Sequence, residues 1–154
     1  MRTRRRIAIC LSMIASMICA PAWADRFRVD DPVYREECGS CHVAYPRELL
    51  RPAAWAQVLA RLDRHYGVDA STDPESLLKL GRWLGVEKPS PSGGSDLKSP
   101  LPRITTTRWF QHEHDEVSPK LWRHPKVRSA SNCDACHQGA SQGDYRERSI
   151  RLPR

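Results

Sequence analysis

The chain has 154 residues, a formal charge of +7 and six cysteines. The charge belongs mostly to the first 24 residues, which hold Arg2, Arg4, Arg5 and Arg6 and no acid, so their removal leaves +3. That is too little to point to nucleic acid, and no basic-plus-aromatic RNA motif occurs.

The first segment, "MRTRRRIAICLSMIASMICAPAWA", has a basic start, an apolar run from Ile7 to about Ala20, and the small-x-small triplet Ala22-Trp23-Ala24. This is the pattern of a secretory signal cut after Ala24. The apolar run is shorter than the roughly 20 residues of a membrane span. Ile18 before Cys19 is too bulky for a lipoprotein site. Processing would take Met1, Met13, Met17, Cys10 and Cys19 with it, leaving 130 residues, four cysteines and no methionine. Export would place the chain in the periplasm, where paired cysteines usually oxidise.

In the remainder, "DDPVYREECGSCH" predicts a helix from the Asp30/Asp31 region into the first cysteine pair. "RPAAWAQVLARLDRHYG" predicts a second helix, with Pro52 at its start and Gly67 past its end. Trp55, Val58, Leu59, Leu62 and Tyr66 would line one buried face. His65 falls on that apolar face. "DPESLLKLGRWLG" predicts a third helix, capped by Asp73, stopped by Gly85 and striped by Leu77, Leu80 and Leu84. The Pro-, Ser- and Gly-rich stretch that follows reads as a linker. The expected organisation is a signal over 1–24, an N-terminal unit over 25–85, a linker over 86–103 and a C-terminal unit over 104–154.

Beyond the linker, "RITTTRWF" looks extended and "SPKLWRHP" a short helical turn. Asn132 is placed to cap a last turn over Cys133 to His137, and "DYRERSIRLPR" reads as a polar tail. The expected class is therefore mainly α. Each unit has roughly 60 residues and few apolar side chains, a size at which a core needs a disulfide, metal or cofactor.

The four remaining cysteines form "CGSCH" (Cys38, Cys41, His42) and "CDACH" (Cys133, Cys136, His137). Two thiols three residues apart share one side of a helical turn and can add to the two vinyl groups of a haem. The next histidine then sits beneath the iron, so the spacing is that of c-type haem attachment. Zinc is the first rival, but 91 residues separate Cys41 from Cys133, against roughly 15–20 in paired zinc knuckles. A thiol–disulfide exchange site would use one CxxC on a βαβ scaffold. Two plain disulfides would leave both trailing histidines unexplained.

Each iron has a second axial position. Methionine is missing after Ala24, which leaves histidine, lysine or an open site. His65 is favoured by its apolar face, whereas His112, His114 and His124 are not separated by local pattern. Trp55, Trp83, Trp109 and Trp122 are candidates for haem walls or ordinary core aromatics. Arg103, Arg108 and Arg148 are available to propionates, although most surface arginines are merely solvated.

The stretches "CGSCHVAYP", "LDRHYGVDAS", "RITTTRWF", "HDEV", "NCDACH" and "GDYRERSIRLPR" resemble the dihaem cytochrome c family of bacterial exported proteins. That resemblance implies a small class I-like cytochrome c unit followed by a less regular haem-bearing unit, with a cofactor-dominated core. It implies two covalent haem c groups, both bis-histidine, with motif histidines at His42, His65, His114 and His137. The simplest pairing is His42 with His65 and His137 with His114; a crossed pairing is the alternative. The family is associated with electron delivery to a small high-spin, oxygen-binding cytochrome or exchange with a membrane cytochrome b. A dihaem peroxidase or small reductase, with one open iron, is the competing class. A sensor would need an output domain that does not follow.

Overall fold

The computed structural model describes residues 27–89 and 100–154. The expected signal and most of the expected linker lie outside the described residues. The described chain is helical, with no strand and two isolated bridges, His65 to Val68 and Gly139 to Asp144.

Helix α1 spans Pro32–Gly39. The Asp31 carboxylate accepts from the Tyr34 N–H at 2.7 Å and Pro32 occupies the first turn, where its missing N–H costs nothing. The helix ends inside the first motif. Helix α2, Pro52–Leu59, and helix α3, Pro74–Trp83, also begin on prolines. Asp73 caps α3 through the N–H groups of Glu75 and Ser76, and Gly85 closes it at φ +72°.

Trp55, Val58 and Leu59 of α2 meet Leu77, Leu80 and Leu84 over Tyr34, and Val29 and Val86 complete the core. Each such aliphatic burial contributes about 1.5–3 kcal/mol. Val86 and the partly buried Leu101, both within the expected linker, therefore pack with the first half, as does Ile104 just beyond it.

The second half is built differently. Helices α4, Arg108–Glu113, and α5, Pro119–Trp122, are short, and the rest is turns. The expected extended run at 103–110 is instead a turn over Ile104–Thr106 leading into α4. The Thr107 hydroxyl accepts from the Phe110 N–H and starts that helix, so a residue in the stretch expected to be extended acts as an N-cap. Only Phe110, Val127 and Ala140 are buried apolar residues there, among those described.

The halves meet directly. Phe27 packs on Trp109 and Tyr145 with ring centres 6.1 and 5.6 Å apart. Gly143, at φ +79°, lies so close to Arg28 that an added Cβ would stand 2.9 Å from its Cα. Tyr45 donates to the Ser131 carbonyl across 86 positions of sequence.

Candidate haem sites

In the first motif, α1 carries Cys38 and Gly39, and the chain then bends through Ser40 and Cys41 to His42. His65 reaches the same place by a route that the helical pattern did not foresee. Helix α2 stops at Leu59 rather than running to Tyr66, so His65 is not on a helix face. Arg61 leaves helical geometry at φ −136°, and a short turn over Leu62–Arg64 follows. Tyr66 and Gly67 then take φ +49° and +101°, a reversal in which Val68 N–H donates to the His65 carbonyl at 3.0 Å. Ala70 N–H closes onto the Leu62 carbonyl at 2.8 Å. These local bonds outcompete continuation of the helix and turn His65 toward His42.

The two imidazoles lie 6.3 Å apart, centre to centre, with planes 19° apart. In the second half His114 and His137 lie 6.1 Å apart with planes crossing at 76°. His114 closes the C-terminal end of α4. Its Nδ1 is 2.9 Å from the Phe110 carbonyl, which can only accept, so that nitrogen carries the proton. Its ring stacks on Phe110 at 4.1 Å, with Trp122 beyond at 5.9 Å. His112 is exposed. His124 accepts from the Lys126 N–H through Nδ1. Neither is brought to a motif histidine.

Cys133–Ala135 forms a single tight turn, with His137 N–H donating to the Cys133 carbonyl at 2.8 Å. Asn132 does not cap it, contrary to expectation. Its side-chain amide donates instead to the Val127 carbonyl at 3.1 Å, tying the motif to the one deeply buried valine of this half. The tail folds back as well: Arg151 N–H donates to the Cys136 carbonyl at 2.9 Å. Gln138, Ile150 and residues 151–154 line an open surface cleft of about 470 Å³ beside the motif.

These residues fit a shared metal on each side. Two imidazoles on one metal, through bonds of about 2 Å each, hold their ring centres about 6 Å apart. In each pair one Nδ1 is fixed by a backbone carbonyl, Val43 for His42 at 2.7 Å and Phe110 for His114. That directs the unprotonated Nε2 outward, as an oriented metal ligand requires. The Nδ1 atoms of His65 and His137 are buried without a hydrogen-bond partner. Burial, and secondarily the facing histidine, lowers the pKa of both and favours the neutral ligand form.

Among the described residues, Cys38, Cys41, Cys133 and Cys136 form no disulfide. Burial, then Glu37, pushes Cys38 up to about 12; burial, then Asp134, pushes Cys133 up to about 11. Among the described residues, no three histidine, cysteine or acidic side chains converge as a zinc site would need.

A family model described as dihaem cytochrome c matches residues 34–145. The chain belongs to the dihaem cytochrome c family. Membership gives it two c-type haem groups, in keeping with the twofold motif. Among solved structures it is similar to the dihaem cytochrome c purified from Rhodobacter sphaeroides, at 40% identity over 77% of this chain and 100% of that one, with a TM-score of 0.63. It is also similar to the diheme cytochrome type c of Shewanella baltica, at 33% identity over 79% of this chain and 92% of that one, with a TM-score of 0.67. Among curated proteins nothing matches.

Sequence reasoning named Trp122 but gave no role beside the histidine pairs to three tyrosines. Tyr45 stacks on His42, Tyr66 stands edge-on to His65, and Tyr145 lies 5.3 Å from His137. Tyr66 follows His65 directly and Tyr45 lies three residues after His42, whereas Tyr145, eight residues past His137, carried no local signal. Of the tryptophans, Trp55 is a core residue bonded to the Arg47 carbonyl, while Trp122 borders His114.

Proposed function

We propose that the chain is a periplasmic one-electron carrier, freed of residues 1–24, in which histidine closes both faces of both haems. On this reading Cys38 and Cys41 anchor one haem by thioether bonds, with His42 and His65 axial to its iron. Cys133 and Cys136 anchor the other, with His137 and His114 axial. The two units, 25–85 and 104–154, each keep their own pair, joined by 86–103. The observation that carries this reading is the meeting of each motif histidine with one partner from its own half, at 6.3 and 6.1 Å.

Haem iron, when bound, supplies reversible one-electron chemistry. The side chains decide what else can happen there. With His65 and His114 also holding the irons, neither site would leave a position for oxygen, peroxide or substrate. Histidine in place of methionine also lowers the potentials. Phe110, Trp122, Tyr45 and Tyr145 supply apolar walls that limit water. The partners would be redox proteins, with a small high-spin, oxygen-binding cytochrome and a membrane cytochrome b as the ones the family resemblance implies. Among the described residues no helix is long and apolar enough to cross a membrane.

The test is a spectroelectrochemical titration of the matured protein. The expected result is two reversible one-electron steps, with both haems low-spin at either end. A high-spin component in either state would favour the alternative, a dihaem enzyme with one open iron.

A further inference from the structure

Tyr45 touches both sites. Its ring lies 4.6 Å from that of His42 with planes 20° apart. Its hydroxyl donates to the Ser131 carbonyl at 2.6 Å. That same carbonyl oxygen is 3.8 Å from Sγ of Cys133. Behind it, the hydroxyl of Tyr34, which is 1% exposed, donates to the Tyr45 carbonyl at 2.7 Å and holds the residue's backbone against the core. The result is an unbroken series of contacts from a histidine of the first pair to a cysteine of the second motif.

We propose that Tyr45 is the positioning residue that couples the two haem sites, setting their separation and supplying a packed route for the electron between them, through its ring stack on His42, its hydrogen bond to Ser131 and the van der Waals contact of Ser131 with Cys133. The inference rests on the ligand and anchor roles proposed for His42 and Cys133. Electronic coupling decays more slowly through bonds and hydrogen bonds than across empty space, so a hydroxyl bridging two otherwise separate segments matters beyond its contribution to folding. One electron leaves the reduced site, iron(II) becoming iron(III), and the other site goes from iron(III) to iron(II). No covalent bond forms or breaks, the Tyr45 hydroxyl keeps its proton, and the ring is not itself oxidised.

The test uses the matured holoprotein, half-reduced, with the inter-haem exchange rate measured by NMR exchange spectroscopy of the haem methyl signals. Tyr45→Phe keeps the ring and removes only the bond to Ser131. The expected result is exchange slowed several-fold, with haem content and both low-spin spectra as in the parent. Tyr45→Leu also removes the stack on His42, and should slow exchange further. Unchanged exchange in Tyr45→Phe overturns the proposal. So does slowing that occurs only together with a high-spin haem, because Tyr45 would then merely prop His42. A parent protein already high-spin at one site fails the ligation reading first, and this inference falls with it.

Discussion

The imidazoles of His114 and His137 cross at 76° with their centres 6.1 Å apart. The corresponding angle between His42 and His65 is 19°. Two imidazoles with nearly parallel planes, both bound to one iron, would donate into the same iron d orbital and split it from its partner. Crossed planes donate one into each and leave the two nearly degenerate. The oxidised protein should therefore give two distinct low-spin EPR signals, one rhombic with three resolved g values and one strongly anisotropic with a single large g. Two identical rhombic signals would contradict the geometry.

Removing either proposed distal ligand should open one site at a time. His65→Ala and His114→Ala are each expected to keep two covalent haems per chain while converting one of them to a high-spin form in the visible spectrum. His112→Ala and His124→Ala should leave both haems low-spin. His112 is exposed, and the Nδ1 of His124 is taken by the Lys126 N–H.

The halves should differ in their dependence on haem. The first has nine buried residues in one cluster, whereas Phe110, Val127 and Ala140 are the buried hydrophobic residues of the second among the described residues. In chain produced without haem attachment, hydrogen exchange should retain protection in α1 and α3. It should be fast throughout α4, α5 and residues 133–137. Equal protection in both halves would show that the second half folds on its polypeptide alone.

Two contacts away from the ligands should carry measurable stability in the holoprotein. Gly143→Ala imposes a side chain on a left-handed backbone, about 1 kcal/mol by itself, and also pushes on the backbone of Arg28. Tyr34→Phe leaves the Tyr45 carbonyl without its donor and should cost about 1–2 kcal/mol. Denaturant unfolding followed by circular dichroism measures both, and Gly143→Ala is expected to be the more damaging.

The attachment motifs were legible because their chemistry is local: three-residue thiol spacing and a following histidine are visible in any frame. Helices α1 and α3 were legible for the same reason, with Asp31 and Asp73 as caps and prolines in the first turns. His65 was picked out on a helix face that does not exist. Its real placement depends on the Tyr66-Gly67 reversal and on Ala70 bonding to Leu62, contacts that periodicity does not encode. Thr107 and Asn132 were misread because a side chain's capping or tertiary bond is chosen by its neighbours in space. The bond between Tyr45 and Ser131, 86 positions apart, left no local trace at all.

The central claim is that all four axial positions belong to histidine, and carbon monoxide tests it most directly. The matured protein, fully reduced, is exposed to carbon monoxide while its visible spectrum is recorded. The account predicts no change, because His42 and His65 close one iron and His114 and His137 the other. A shift in the band of either haem would show an open coordination position, contradict one of these pairs and move the chain from carrier toward catalyst.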